Sequence, residues 1–175
     1  MWYWGEKPET NRMDSTAPGQ PAVRKAQDCD SSGIRILIAA ATQELRRVYK
    51  PRPVASQPAP EEAESLVAVV GDRIVGIVEY VTREASIYVR GLAVHPEYRR
   101  KGVARALLSE VAQVARQSNR ATLTLSTIQE TGNPAIFERL GFVTKESRPS
   151  PRFVDAADGP VMQIDMVCRL EGVDD

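Results

Sequence analysis

Three consecutive cationic side chains and a glycine stand at the start of a helical pattern. The run is Arg99-Arg100-Lys101-Gly102, and apolar residues then recur at helical spacing from Val103 to Ala115. A helix N-terminus carries unpaired N–H groups and a partial positive charge, so acidic side chains are expected there. Cations are unfavourable at this pole unless an anion lies among them, in which case amides and side chains bind it together. The sequence therefore predicts a phosphate-bearing ligand at this turn.

A single carboxylate interrupts an otherwise apolar segment. Glu79 lies within the predicted strand Arg73–Val81, and a partly buried carboxylate is a candidate general base. Alternation places Ile77 and Glu79 on one face of this strand and Val78 on the other, so either face could border a site. The alternative interpretation is a carboxylate of an edge strand that faces water.

The elements that position these residues follow from periodicity, turn signals and β-branched content. The predicted order is a strand at Ala22–Ala26, a helix at Ser31–Tyr49, hairpin strands at Leu66–Val70 and Arg73–Val81, a strand at Ser86–Val94, a helix from about Gly102, a strand at Ala121–Ser126, a short segment at Asn133–Arg139, and strands at Val143–Lys145 and Pro160–Arg169. Antiparallel strands around one strand–helix–strand unit predict an α+β domain with a mixed, mostly antiparallel sheet flanked by helices. Ligands of such sheets bind beyond the carboxyl ends of the strands, where the basic turn lies.

The composition suits one compact domain without a strong preference for charged partners. The chain has 175 residues, 42% of them hydrophobic, and its 23 Lys and Arg balance 23 Asp and Glu. We therefore expect neither nucleic acid nor a membrane as partner. Residues 1–21 are predicted to be a flexible N-terminal segment, residues 22–170 one domain and residues 171–175 a tail. Two distant cysteines, no signal peptide and no long apolar run predict a cytoplasmic protein without a metal site.

The basic turn resembles the cofactor motif of the GNAT superfamily of N-acetyltransferases. That motif is Arg or Gln, two residues, Gly, one residue, then Gly or Ala, and here it is Arg99-Arg100-Lys101-Gly102-Val103-Ala104. The flanking Leu92-Ala93-Val94-His95-Pro96 and Ala106-Leu107-Leu108 are similar to the family as well. A second block, Asn133 to Phe142, resembles the family's later motif. The resemblance covers most of the chain and implies the acyl-CoA N-acyltransferase fold.

The resemblance implies acetyl-CoA as co-substrate and transfer of its acetyl group to an amine, by direct attack through a tetrahedral intermediate. The pyrophosphate would lie at residues 99–104 and the pantetheine arm along the strand that ends at Val94, whose N–H would face the thioester oxygen. The implied cofactor-binding residues are Leu92, Ala93, Val94, Arg99, Arg100, Lys101, Gly102, Val103, Ala104, Asn133 and Phe137. The alternative is a CoA-binding regulatory or interaction module of the same fold without transfer activity.

The expected catalytic residues are Glu79 as base and Tyr88 as a candidate acid. Many members of the family have a tyrosine in the later motif that protonates the leaving thiolate, but the matching position here is Phe137. Tyr88 could take that role, or the acidity of the thiol could make a dedicated acid unnecessary. Glu84, in a predicted turn, is a weaker candidate base.

The acceptor is expected to be a small-molecule amine or an amine of a protein or peptide. Irregular segments at Arg52–Ala63, around Glu84 and at Ser147–Gly159 would bind it, because loops are where such folds vary. An exposed sheet edge near the C-terminus could pair with a second copy in a homodimer. A nucleotide ligand is disfavoured, since neither GxxxxGK[ST] nor GxGxxG occurs.

Overall fold

The computed structural model describes residues 21–52 and 61–171, and in these ranges eight strands form one mixed sheet. The strands are β1 (Ala22–Lys25), β2 (Tyr49–Pro51), β3 (Glu64–Val70), β4 (Arg73–Thr82), β5 (Ile87–Val94), β6 (Thr122–Ile128), β7 (Val143–Asp155) and β8 (Pro160–Arg169), and the α-helices are α1 (Ser31–Leu45), α2 (Val103–Gln117) and α3 (Asn133–Arg139). Their order across the sheet is β1-β3-β4-β5-β6-β8-β7-β2, and only β5 and β6 are parallel neighbours. The predicted α+β class is confirmed. The N-terminal segment and tail predicted at the chain ends lie almost entirely outside the described residues.

The central hairpin follows from local sequence. Strands β3 and β4 are rich in Val and Ile, which favour extended backbone, and Gly71-Asp72 join them. Gly71 has a φ of +58°, a conformation that glycine adopts without steric penalty. The hairpin predicted from this pattern is confirmed.

The first helix is shorter than the sequence predicts. It ends at Leu45 rather than Tyr49, because Tyr49–Pro51 form a strand that pairs antiparallel with Phe153–Asp155. The rings of Tyr49 and Phe153 lie 4.8 Å apart, edge to face. Residues that local periodicity assigns to the end of α1 therefore form a strand instead, because they pair with the distant strand β7.

The prediction of an irregular segment at Ser147–Gly159 is wrong for most of its length. Strand β7 extends to Asp155 and pairs with β8, with a register shift between Pro149 and Val154. The prolines suggested a loop. Proline is nevertheless tolerated near a sheet edge, and β7 is covered on its outer side only by the three-residue strand β2.

The sheet has a large core on one face, where α2 packs, and a smaller one on the other. The buried side of α2 consists of Val103, Leu107, Leu108, Val111, Ala112 and Ala115. On the opposite face, which we call the α1 face, Leu37 is the one buried residue of α1 and packs with Val67 and Ile77. No helix in the described ranges is long and apolar enough to cross a membrane.

A charged pair joins β1 to the start of α1. Arg24 donates from Nη1 and Nη2 to the carboxylate of Asp30, at 2.6 and 2.9 Å, and the Gln27 N–H donates to the same group at 2.8 Å. The hydrogen bonds from Arg24, followed by that from Gln27, lower the pKa of Asp30 from 3.8 to about 2. Asp30 is 6% exposed, so its charge depends on these partners rather than on water.

Replacing Asp30 with Asn should lower the free energy of unfolding near neutral pH, because Arg24 loses its charged partner. A carboxyl whose pKa is lowered by folding adds stability that is present above the unfolded pKa of 3.8 and is lost as the pH falls toward about 2. Urea unfolding across this range should therefore show the difference between wild type and Asp30→Asn shrinking in acid. The exposed Asp28→Asn serves as control, and a difference that stays constant with pH would contradict the assignment.

Candidate active site

Strands β5 and β6 are paired over only part of their length. The parallel register joins Ile87–Val89 to Leu123–Leu125, yet β5 continues to Val94 and β6 to Ile128. Beyond residue 89 the two strands diverge, and no other strand of the described residues takes the place beside β5. An open edge of five residues results in the middle of the sheet.

Main-chain groups of Leu92 and Val94 point into this gap. The His95 N–H donates to the Val75 carbonyl oxygen at 2.8 Å, so His95, and by alternation Ala93, bond toward β4. Leu92 and Val94 then present their N–H and C=O groups to the open edge. Arg99 Nε donates to the Val94 carbonyl oxygen at 3.2 Å, which leaves both N–H groups and the Leu92 carbonyl for a ligand.

The loop between β5 and α2 has two residues in the left-handed region. Arg100 has a φ of 62° and Gly102 a φ of +82°, and a Cβ placed on Gly102 would meet nothing within 4 Å. Gly102 is also the residue before the first turn of α2, which holds no acidic residue and no side-chain cap. The first N–H groups of α2 are therefore open to a ligand, as the predicted anion site requires. The predicted start of the helix is confirmed.

The three cationic side chains of this loop have different contacts. Arg99 Nη2 donates to Glu44 Oε2 of α1 at 2.7 Å, so this side chain braces the loop against the helix. Lys101 Nζ lies 5.1 Å from the centre of the Tyr98 ring, a cation–π distance. Arg100 is exposed. The positive charge at the α2 N-terminus is therefore partly fixed by contacts and partly presented to solvent.

A glycine of β4 lets α2 sit close to the sheet. A Cβ on Gly76 would lie 2.7 Å from Val103 Cγ1, closer than real contacts allow, and 3.0 Å from Leu107 Cδ1, a tight contact. Gly76 is paired with Val94 at the end of β5. The absence of a side chain here sets the position of the first turn of α2 relative to the open edge.

Glu79 lies on the α1 face, next to the open edge. It shares that face with Ile77, while Val78 and Tyr80 are buried in the core beneath α2. Its Oε2 lies 3.6 Å from where a Cβ on Gly91 would be, so the carboxylate rests over β5. The alternative of an edge-strand carboxylate is wrong, because β4 is an interior strand.

A β-bulge beside Glu79 brings an arginine onto the same face. The pairs Glu79–Gly91 and Tyr80–Val89 leave Arg90 as the extra residue of β5. Arg90 Nη2 lies 3.2 Å from Glu79 Oε2, and the two side chains are 41% and 28% exposed. Arg90 is not among the residues that the sequence singles out, although a charged residue inside an apolar strand is the same signal that selects Glu79.

Tyr88 is also on the α1 face, because its neighbours Ile87 and Val89 are buried in the opposite core. The Arg83 guanidinium lies 4.1 Å above the Tyr88 ring and pairs with Glu61 at 3.0 Å. The fold therefore brings Tyr88 and Glu79 to one face of the sheet, with the bulge between them.

Asn133 and Phe137 lie on α3, away from this face. The Asn133 N–H donates to Thr131 Oγ1 at 3.1 Å. Phe137 packs against the core beneath α2, with its ring edge to face against Phe142 at 5.7 Å. The fold thus brings Glu79 and Tyr88 to the α1 face, whereas Phe137 is partly buried on the opposite face, against the same core as Val103 at the start of α2.

Residues 25–156 match the family model described as an acetyltransferase (GNAT) domain. The chain belongs to the GNAT family. The match spans about three quarters of the sequence and includes the open edge, the basic loop and α3. A search of curated protein sequences finds no significant match.

Solved structures show the same fold at low sequence identity. A GCN5-related N-acetyltransferase from Kribbella flavida aligns with a TM-score of 0.68 and 20% identity, over 88% of this chain and 100% of that one. The ribosomal-protein-S18-alanine N-acetyltransferase from Escherichia coli gives 0.62 and 17%, over 89% and 99%. A GNAT family acetyltransferase from Elizabethkingia anophelis with acetyl-CoA bound gives 0.61 and 14%, over 87% and 99%. Members of this family therefore include acetyl-CoA-binding proteins.

Replacing Gly76 with Ala should destabilise the fold by about 1–3 kcal/mol, because the new methyl group displaces Val103 and Leu107. Denaturant unfolding measures the change. Gly71→Asn is the control, since its position in the hairpin is open and Asn tolerates a positive φ. A Gly76→Ala protein as stable as wild type would show that α2 does not depend on this close contact.

Proposed function

We propose that this chain transfers the acetyl group of acetyl-CoA to an amine acceptor. The proposal rests on one observation: the open edge of β5 leads through a basic loop directly to the uncapped N-terminus of α2. An extended amide-containing arm fits the first feature and a pyrophosphate fits the second. Acetyl-CoA has both groups in one molecule.

The loop and the first turn of α2 would hold the pyrophosphate. The N–H groups of Gly102, Val103 and Ala104 lie at the positive pole of the helix, and Arg100 and Lys101 add charge from exposed side chains. Since Gly102 has no side chain, an anion can approach this backbone closely. Arg99, braced against Glu44, would act mainly by fixing the loop.

The edge of β5 would bind the pantetheine arm as an added half-strand. The N–H groups of Leu92 and Val94 and the Leu92 carbonyl provide its hydrogen bonds, with Ala93 bonded toward β4 between them. One of the two N–H groups would donate to the thioester oxygen and stabilise the charge that develops there, by a few kcal/mol. Asn133 and Phe137, on α3, are assigned to the cofactor by resemblance alone.

Glu79 would accept the proton of the acceptor ammonium, since its carboxylate rests over β5 beside Leu92. The free amine then attacks the thioester carbonyl carbon, the N–C bond forms, the C–S bond breaks, and water takes the second proton that the nitrogen loses as the amide forms. Tyr88, on the same face, would donate a proton to the leaving thiolate. A thiol with an ordinary pKa near about 8.5 also leaves without such help, so the acid role of Tyr88 is the smaller one.

Thiol release on incubation with acetyl-CoA and a panel of amines tests the proposal directly. Calorimetric titration with acetyl-CoA, and with ATP as comparison, measures binding separately. Acetyl-CoA binding without transfer to any amine would identify a silent CoA-binding module instead, and tighter binding of ATP would overturn the cofactor assignment.

Replacing Gly102 with Glu should weaken acetyl-CoA binding by about ten- to a hundredfold. The new carboxylate would occupy the anion site and repel the pyrophosphate, and its backbone would be strained at a φ of +82°. Gly71→Glu is a matched control, because it has a similar φ of +58° and open surroundings outside the loop. Wild-type affinity in Gly102→Glu would show that the pyrophosphate binds elsewhere.

Replacing Glu79 with Gln should reduce turnover by about a hundredfold or more, the usual contribution of a general base. Affinity for acetyl-CoA should stay within about twofold of wild type, because Glu79 lies on β4 and not on the open edge. Glu110→Gln, on α2, serves as control. A Glu79→Gln enzyme with wild-type turnover at every pH would exclude Glu79 from the reaction.

A further inference from the structure

The candidate base has a cationic partner on the face from which an acceptor would approach. Glu79 Oε2 lies 3.2 Å from Arg90 Nη2, and Arg90 Nη1 also donates to the Glu61 carbonyl oxygen at 3.4 Å. A guanidinium has five N–H donors, and these contacts use two of them. With 41% of its side chain exposed, Arg90 can bind a further acceptor group from solvent.

The neighbouring arginine is less available. Arg83 pairs with both carboxylate oxygens of Glu61, at 3.0 and 3.4 Å, and its guanidinium is stacked over Tyr88 at 4.1 Å. Arg90 has no such stacking contact among the described residues. The charge that an acceptor meets beside Glu79 is therefore that of Arg90.

This arrangement disfavours an acceptor with only a positive charge. An ammonium group that approaches Glu79 comes within a few ångströms of the Arg90 guanidinium, which repels it. A carboxylate next to the ammonium reverses the effect, because it binds Arg90 while the ammonium binds Glu79. The ion pair on the protein and the zwitterion then lie antiparallel, with each charge facing its opposite.

We propose that the acceptor is an amino acid or a related zwitterion, whose carboxylate binds Arg90 and whose amine faces Glu79. This inference rests on the proposed acetyl transfer and adds the substrate class to it. The bulge explains the geometry, because it places Arg90 and Gly91 side by side on the α1 face. Gly91 leaves the space beside the two charges free of a side chain.

Matched acceptors test the substrate class. Each set contains an amino acid, its amide and the amine without the carboxyl group: leucine, leucinamide and isopentylamine; phenylalanine, phenylalaninamide and phenethylamine; lysine, lysinamide and cadaverine. Thiol release gives kcat/KM for each, and in at least one set the amino acid should exceed both analogues by about tenfold or more. The amine of the amide is less basic than that of the acid, so more of it is unprotonated near neutral pH, and intrinsic reactivity does not favour the acid in the comparison of acid with amide.

Two variants connect the preference to Arg90. In Arg90→Gln the ratio of kcat/KM for acid and amide should fall by about tenfold, and Arg90→Lys should restore part of it, since lysine keeps the charge without the planar fork. Arg116→Gln, exposed on α2, is the control and should keep the wild-type ratio. Thermal unfolding of each variant shows whether the fold is retained.

The outcomes separate this inference from the function on which it rests. Acetylation of amides or simple amines as fast as amino acids would overturn the inference and support acetyl transfer. The same holds if Arg90→Gln retains the preference for the acid. Acetyl-CoA binding without transfer to any amine would overturn both the inference and the transfer activity, and absence of acetyl-CoA binding would overturn the cofactor assignment as well.

Discussion

The early end of the pairing between β5 and β6 is the constraint on which the site depends. Hydrogen-bonded strands satisfy each other's main chain, so a strand that diverges inside a sheet leaves donors and acceptors that need another partner. Here no strand of residues 21–52 or 61–171 pairs with this side of β5 from residue 90 to Val94. One of these groups, the Val94 carbonyl, is satisfied by Arg99 of the following loop. The remaining groups form an open edge whose length and direction are set by the sheet.

The helix that follows is positioned by the same strands. Gly76, opposite Val94, allows the first turn of α2 to contact β4 directly, and Arg99 joins the intervening loop to Glu44 of α1. The loop is thus fixed at both faces of the sheet. Arg100 and Gly102, both with positive φ, turn the chain sharply between β5 and α2. The first N–H groups of α2 then have no side-chain cap. Geometry of this kind favours an anion before any charged side chain is counted.

The features that could be predicted from the sequence are those set by residues close together in the chain. The run from Arg99 to Gly102 and the apolar spacing after it predicted the helix start correctly, because helix signals act over a few residues. The face on which Glu79 lies, and its pairing with Arg90, could not be predicted, because a bulge depends on the register of two strands. The strand at Tyr49–Pro51 was missed for the same reason, since it exists only through β7.

The far edge of the sheet has a protective feature. Strand β2 covers only the end of β7, at Phe153–Asp155, and the rest of the outer edge of β7 is unpaired within the part of the chain that the structure describes. Pro149 and Pro151 remove two N–H donors from this strand, and Lys145 and Arg148 place charges on it. A strand from another molecule could therefore form only a short ladder here before it met groups that cannot pair. The prolines and charges of β7 therefore limit edge-to-edge pairing at this side of the sheet.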